Sequence, residues 1–333
     1  MSLLPSAHRR TGRGGEKRPA DTGALSRTEY EVTMATQSPF PEWIRQGWAS
    51  GEDFTYTKGL IEDLGLHTVC QSANCPNIGE CWQRRTATMM VLGGICTRSC
   101  RYCSVDSGKP GPPDPQEPAN VAEAVQRMDL KHAVITTVTR DDLPDGGAAH
   151  IAETVRAIHR QNPETTVELL VPEFEGVEAD LRTVLDARAE VFGHNIETVE
   201  RLYPVLRDRR STYRMALDVL GQAAQYEPRP IVKSALMAGH GETERDVEAT
   251  LQDLLDAGCE AVSIGQYLRP GPKQRKVEAF VHPDQFKAYE AMAYEMGFMF
   301  VTAGPFVRSS YRSDEMMKAY FARERMRAMG RVV

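Results

Sequence analysis

Seven short apolar runs recur along the chain, at residues 88–93, 133–138, 166–171, 190–193, 231–236, 261–266 and 299–302. Amphipathic stretches separate them, at 119–128, 148–160, 176–187, 197–206, 242–257 and 283–296. In the stretch 243–255, Val247, Leu251, Leu254 and Leu255 fall on one face of a helix. Alternation of this kind predicts a parallel sheet joined by right-handed crossovers. Six repeats and a final strand predict an α/β fold, a complete or partial TIM-type (β/α)6 barrel. In such a barrel the chemistry sits on loops at the carboxyl ends of the strands.

A chain of 333 residues holds one such domain plus extensions. Residues 1–38 are polar, rich in Arg, Gly, Ser and Thr and without periodicity, and read as a disordered tail, with Met34 a candidate natural start. The expected division then runs 39–85 for an amino-terminal extension, 86–303 for the barrel and 304–333 for a carboxyl-terminal extension. The proline- and glycine-rich segment 108–115 excludes helix and inner strand. No apolar run approaches the ~18 residues a membrane span needs, and nothing resembles a signal peptide. A formal net charge of −6 argues against wholesale nucleic-acid binding. Neither a membrane nor a nucleic acid is therefore an expected partner.

Six of the seven cysteines fall in one stretch, as Cys70-x4-Cys75-x5-Cys81 and Cys96-x3-Cys100-x2-Cys103. Clustered thiols without secretion signals suit a reducing cytoplasm, where cysteines bind metal rather than form disulfides. Four thiolates close a structural site, whereas three leave one iron of a [4Fe–4S] cube open. An open iron can chelate a small molecule through an amine and a carboxylate and pass it an electron. The second triplet, with Tyr102 before its last cysteine, follows the first apolar run directly, where an active-site loop belongs. It points to an iron–sulfur site. The first triplet alone would also suit zinc, which accepts loose spacings, although no nearby histidine completes either set. His67 sits in an apolar, helix-like run and is expected to pack. Cys259, the seventh, is expected to pack as a small apolar residue.

Three segments together carry a resemblance. They are Val69-Cys-Gln-Ser-Ala-Asn-Cys-Pro-Asn-Ile-Gly-Glu-Cys-Trp82, Gly94-Ile-Cys-Thr-Arg-Ser-Cys-Arg-Tyr-Cys103 and Gly304-Pro-Phe-Val-Arg-Ser-Ser-Tyr311. The second resembles the radical S-adenosylmethionine superfamily, and all three in order resemble its lipoyl synthase family, from about Pro39 to Arg312. The resemblance implies two [4Fe–4S] clusters and S-adenosylmethionine as cofactors. Cys96, Cys100 and Cys103 would hold the cluster that cleaves S-adenosylmethionine to a 5′-deoxyadenosyl radical, which takes hydrogens from an octanoyl chain on a carrier lysine. Cys70, Cys75 and Cys81, with Ser310 as fourth ligand, would hold an auxiliary cluster that donates sulfur to C6 and C8. An alkoxide is a hard partner for iron and should be the first to leave when the cluster opens. Implied partners are octanoylated lipoyl carrier domains (2-oxoacid dehydrogenase E2 subunits and the glycine cleavage H protein), an electron donor such as flavodoxin or ferredoxin, and iron–sulfur carrier proteins.

Further residues follow from the same resemblance. Arg308 would steady the auxiliary site or act as a catalytic cation. Tyr102, Asn195 and Glu197 would meet the cofactor, and Lys233, odd in a core strand, would point into the cavity. In Thr139-Arg-Asp-Asp-Leu-Pro-Asp-Gly-Gly147, the residues Asp145, Gly146 and Gly147 would meet the methionyl moiety, although a strand–helix turn with an N-cap explains them equally. Residues 308–333 carry seven basic side chains, including Arg323, Arg325, Arg327 and Arg331, against three acidic ones. Beside the auxiliary site they could steer an acidic carrier to the barrel mouth. The segment Gly271-Pro-Lys-Gln-Arg-Lys-Val277 departs from the family, which has a histidine-rich stretch there. Two alternatives stay open: a different sulfur-inserting or methylthio-transferring enzyme of the superfamily, and a zinc-dependent interaction protein.

Overall fold

The computed structural model describes residues 40–45, 47 and 51–328, so the expected tail lies outside the described residues. The strands are β1 (His67–Thr68), β2 (Met89–Val91), β3 (Ile95–Cys96), β4 (Asp106–Ser107), β5 (His132–Thr137), β6 (Thr166–Leu170), β7 (Val191–Gly193), β8 (Ile231–Ala238), β9 (Ala261–Gln266) and β10 (Phe300–Gly304). Their main sheet runs β1-β2-β5-β6-β7-β8-β9-β10, while β3 and β4 pair separately. Every neighbouring pair from β2 to β10 is parallel, and only β1 joins antiparallel. All seven expected strands are present. Among the described residues β10 does not return to β2, so the barrel is the partial, open form. Strands of a parallel sheet are covered on both faces, and β9 is buried along its whole length.

The amino-terminal extension holds α1 (Glu52–Asp63), α2 (Val69–Ser72) and α3 (Ile78–Gln83). Against the sheet lie α4 (Glu117–Arg127), α5 (Ala148–Gln161), α6 (Glu178–Leu185), α7 (Tyr203–Leu206), α8 (Tyr213–Ala224), α9 (Glu244–Asp256) and α10 (Pro283–Met296). Helix α9 starts at a capping box. The Asp246 N–H donates to Thr243 Oγ1 at 3.2 Å and the Thr243 N–H returns to the Asp246 carboxylate at 2.7 Å. It buries Val247, Leu251 and Leu254, the face the sequence predicts.

Three local expectations are corrected. The helix expected at 197–206 shrinks to a 3₁₀ turn (Glu200–Leu202) and α7. Its first residue, Glu197, is drawn into a parallel bridge with Leu236 in left-handed backbone (φ 67°), and a proline starts the short α7. Helix α8 falls where no helix was expected, and Thr212 caps it, accepting the Met215 N–H at 3.1 Å. His67 does not pack inside a helix. Helix α1 ends at Asp63, Gly65 turns the chain at φ 63°, and His67 stands exposed on the edge strand β1. Cys259 is buried as expected.

After β10 the chain crosses β9 at close range. A Cβ on Gly265 would lie 2.1 Å from the Val307 carbonyl oxygen, so only glycine fits there. The chain then dives to the amino-terminal end of the sheet and forms α11 (Ser313–Ala328). Met317 packs on Val191 and Ile231, the first residues of β7 and β8. The helix that carries Lys318, Arg323 and Arg325 thus packs under the barrel through Met316, Met317 and Tyr320. For that part of the basic tail this corrects the expectation of a place at the mouth, whereas Arg308 lines the cavity and Arg312 pairs with Glu80; Arg331 lies outside the described residues.

Candidate active site

One cavity of about 340 Å³ opens at the carboxyl ends of the strands, within the size range of small-molecule sites. Cys70 and Cys75 of the first triplet and Cys96, Cys100 and Cys103 of the second line it together, with Ser309 and Ser310. Between the triplets the wall is apolar, built from Met90, Leu170, Leu236, Met237 and Val307.

The second triplet starts at the end of β3 and continues in the loop that leads to β4. Backbone bonds clamp that loop to the barrel: the Thr97 N–H donates to the Thr139 carbonyl at 3.0 Å and the Arg101 N–H to the Leu206 carbonyl at 2.8 Å. Under the loop Arg98 is 4% exposed. Its guanidinium donates to Asp141 at 2.8 Å, to Glu173 at 2.5 Å and to Ser211 at 2.8 Å. Sequence reasoning missed this network, because its partners lie in the loops after β5 and β6 and before α8, and share no local pattern with the cysteines. Arg207 is a second missed cation. It donates to the Tyr102 hydroxyl at 2.7 Å and faces Glu173 at 3.7 Å. Burial alone would push Glu173 up, but His194, Arg98 and Arg207 overcome it and hold the carboxyl at about 2. Burial also pushes His194 below the ordinary histidine range, so at neutral pH the two arginines carry the pairing.

Backbone amides also reach the thiols. The Arg98 N–H donates to Cys96 Sγ and the Asp208 N–H to Cys100 Sγ, each at 3.4 Å. Asn195 and Glu197, expected at the cofactor, do line the cavity, as does Tyr102. The Asn195 side-chain amide donates to Glu197 at 3.3 Å and to the Ser309 hydroxyl at 3.5 Å. Burial raises the Glu197 carboxyl, against the opposing pull of Arg207.

The first triplet is held by α2, α3 and the turn between them, and the carboxyl-terminal extension folds onto it. The Asn77 amide donates to the Phe306 carbonyl at 2.7 Å. The Tyr311 hydroxyl donates to Glu80 at 3.1 Å, and Arg312 pairs with the same carboxylate at 3.2 Å. Ser310 and Arg308 line the same cavity as Cys70 and Cys75. Arg308 is half-buried, and burial pushes it below its usual range against the opposing pull of Cys75.

Other expected contacts fall elsewhere. Asp145 accepts the Gly147 and Ala149 N–H groups, each at 2.9 Å, and caps α5. Gly146 and Gly147 turn the chain at φ 59° and 88°, and a Cβ on Gly147 would sit 2.3 Å from the Leu92 side chain. None of the three lines the cavity; the strand–helix turn accounts for them, and Asp141 is the acid of that segment nearest the cluster loop. Lys233 is also outside the cavity. Its ammonium donates to Glu168 at 2.9 Å and to Ser313 at 3.1 Å, on the floor of the barrel.

The thiols suit a soft metal. Burial, then the neighbouring thiolate of Cys75, pushes Cys70 up to about 11. Burial, then Cys70 and Cys75, pushes Cys81 to about 12, and burial leads in raising Cys75 and Cys100 as well. Buried thiols that repel one another as thiolates are the donors an iron cluster displaces protons from. Among the described residues no three His, Cys, Asp or Glu side chains converge on the position of a single ion; five of the six clustered thiols line the cavity, a donor set suited to iron–sulfur clusters.

Residues 90–254 match the Radical SAM superfamily. The lipoyl synthase of Myxococcus xanthus is 47% identical over 291 residues, covering 87% of this chain and 98% of the relative. That of Thermus thermophilus is 49% identical over 277 residues, covering 83% of this chain and 86% of the relative. Among solved structures, HydG, a maturase of the [FeFe]-hydrogenase, aligns with a TM-score of 0.52 at 13% identity, covering 76% of this chain and 69% of that one. At that identity the likeness concerns the fold alone. Similarity along most of the length of the relatives, with cysteines of both triplets in one cavity, decides between the readings left open above: the chain belongs to the lipoyl synthase family of the radical S-adenosylmethionine superfamily.

Proposed function

We propose that this chain completes the lipoyl cofactor on its carrier, inserting two sulfur atoms at C6 and C8 of an octanoyl chain amide-linked to lysine. The observation that supports this most is the single cavity lined by Cys70 and Cys75 of the first triplet, all three cysteines of the second and Ser310. When bound, a [4Fe–4S] cluster on Cys96, Cys100 and Cys103 supplies hydrogen abstraction through S-adenosylmethionine, and a second on Cys70, Cys75, Cys81 and Ser310 supplies sulfur.

The chain's own groups prepare the two ends of that cavity. At one end Tyr102, Asn195 and Glu197 offer polar contacts for the cofactor's ribose or amine. Arg207 orients the Tyr102 ring through its hydroxyl. Arg98 holds Asp141 and Glu173 together beneath the loop, so the cysteines sit on a fixed base. At the other end Arg308 places a half-buried cation near Cys75, and Asn195 links the two ends through Ser309. The apolar wall between them suits an acyl chain and excludes water from a reactive carbon.

The substrate is then an octanoylated lipoyl domain, from a 2-oxoacid dehydrogenase E2 subunit or a glycine cleavage H protein. Flavodoxin or ferredoxin would supply electrons, and iron–sulfur carriers would rebuild the spent cluster. A reducing cytoplasm would keep the seven free cysteines available; among the described residues no helix is long and apolar enough to cross a membrane. The test is anaerobic incubation of the reconstituted protein with S-adenosylmethionine, dithionite and an octanoyl-lysine peptide, followed by mass spectrometry. A gain of two sulfur atoms supports the reading; cofactor cleavage without sulfur gain contradicts it.

A further inference from the structure

The segment 269–276 runs along the rim of the cavity as a strap, starting where Leu268 and Pro270 line the wall. It is fastened to both cysteine loops. The Arg275 N–H donates to the Arg101 carbonyl at 2.8 Å, the Gln274 side-chain amide to the Cys103 carbonyl at 3.1 Å, and the Asn74 amide to the Pro270 carbonyl at 3.5 Å. Within the strap the Arg269 guanidinium closes onto the carbonyls of Gln274, at 2.8 Å, and Pro272. Its shape is therefore fixed by the same loops that carry the site.

The strap holds Arg269, Lys273, Arg275 and Lys276 and no acidic residue, in a chain whose formal net charge is −6. Arg275 faces Glu278 at 3.3 Å. Arg269, Lys273 and Lys276 are exposed, as is the adjacent Arg101. Among the described residues, these four have no carboxylate within ion-pair distance. Helix α11, by contrast, packs under the barrel through Met316, Met317 and Tyr320.

We propose that this strap is the docking surface for the substrate carrier, and that it recognises an acidic face around the carrier's acylated lysine. The proposal rests on the functional reading above, in which the acyl chain enters the cavity on a lysine arm. An arm that short requires the carrier's body to rest on the rim, and the strap is a basic part of that rim, fastened to the loop of the second triplet. An electron donor has no such need, since electrons cross a gap that a carbon chain cannot. Unpaired cations at the mouth raise the encounter rate with an acidic partner and set its orientation.

The test pairs Lys273→Glu with Lys276→Glu in the reconstituted enzyme. Dithionite serves as reductant, so no protein donor is required. The variant should need about tenfold more octanoylated carrier domain for half-maximal rate at low salt. The gap should shrink as salt rises, because the Debye length is about 8 Å at physiological ionic strength. Turnover of a short octanoyl-lysine peptide should not change. Arg323→Glu with Arg325→Glu, on the helix that packs under the barrel through Met317, should leave both substrates unaffected. An equal response of carrier and peptide, unchanged carrier kinetics, or a defect seen only when flavodoxin replaces dithionite would each overturn the docking assignment. Failure of the unsubstituted enzyme to insert sulfur into either substrate would instead overturn the functional reading, and the docking proposal with it.

Discussion

The Tyr311 hydroxyl donates to both oxygens of Glu80, at 3.2 and 3.1 Å, across 231 residues of sequence. Glu80 precedes Cys81 on α3, and Tyr311 follows Ser310. The contact ties the only non-cysteine ligand proposed for the auxiliary cluster to the helix that carries one of its cysteines. Removing it should loosen the serine without touching a thiol. Tyr311→Phe should cost about 1 kcal/mol in chemical unfolding, the usual worth of a partly exposed hydrogen bond to a charge. It should keep full iron content while lowering product yield. Iron loss equal to that of a cysteine variant would mean the tyrosine holds the whole site rather than the serine.

The two adjacent serines have separable roles. Ser309 accepts from Asn195 on the cofactor side, whereas Ser310, the proposed ligand, lines the cavity with Cys70 and Cys75. Ser310→Ala should leave three thiolates and an assembled but poorly productive cluster. Ser309→Ala should be nearly silent in product yield. Electron paramagnetic resonance of the auxiliary cluster checks this, since only the Ser310 variant should change its signal. Identical spectra for both would show that the wrong serine has been assigned.

Gly265 carries a steric prediction. Its missing Cβ leaves room for the Val307 carbonyl. Gly265→Ala should force the carboxyl-terminal extension off β9 and cost about 1–3 kcal/mol as an overpacked contact. Product formation should fall further than cofactor cleavage, because the displaced segment carries Ser310. Parallel loss of both activities would point to general unfolding.

Glu168 gives a pH dependence. Burial would raise its carboxyl, but Lys233 first, and His132, bring it from 4.5 down to about 2. A value depressed in the folded state gives stability that is complete above 4.5 and is lost as pH falls toward about 2. Thermal unfolding of the full chain should thus be flat near neutrality and steepen below the ordinary carboxylate range. Glu168→Gln leaves the Lys233 ammonium buried without its partner, so it should cost about 3–5 kcal/mol at neutral pH. It should also flatten the acid limb, and an unchanged acid limb would remove Glu168 from the account.

Much of this was legible in the sequence, for physical reasons. A parallel sheet covered on both faces writes each strand as an unbroken apolar run, so β5, β6, β8 and β9 stand at or within one or two residues of the expected bounds. The cysteines of each triplet are close in sequence because one loop or two short helices present them. Arg98, Arg207, Asp141 and Glu173 were not legible, since they meet only through contacts between distant loops. Asp145, Gly146 and Gly147 offered two readings from the same residues, and the Asp145 bonds to the start of α5 with the packing of Leu92 against Gly147 favour the turn. Lys233 was rightly marked as odd in a strand, but its answer lay in Glu168 on a strand two places away. Helix α8 carried its own signal, with Tyr213, Ala216, Leu220 and Ala223 at helical spacing after the Thr212 cap.

The central claim is that one triplet starts the chemistry and the other donates to it. The most direct measurement compares Cys100→Ala with Cys75→Ala in one anaerobic assay, reading 5′-deoxyadenosine by chromatography and sulfur in the peptide by mass. Cys100→Ala should yield neither 5′-deoxyadenosine nor sulfur-containing peptide, while retaining roughly one cluster. Cys75→Ala should still form 5′-deoxyadenosine but insert no sulfur. Sulfur-containing product from Cys75→Ala, or 5′-deoxyadenosine from Cys100→Ala, would contradict the assignment of the two triplets.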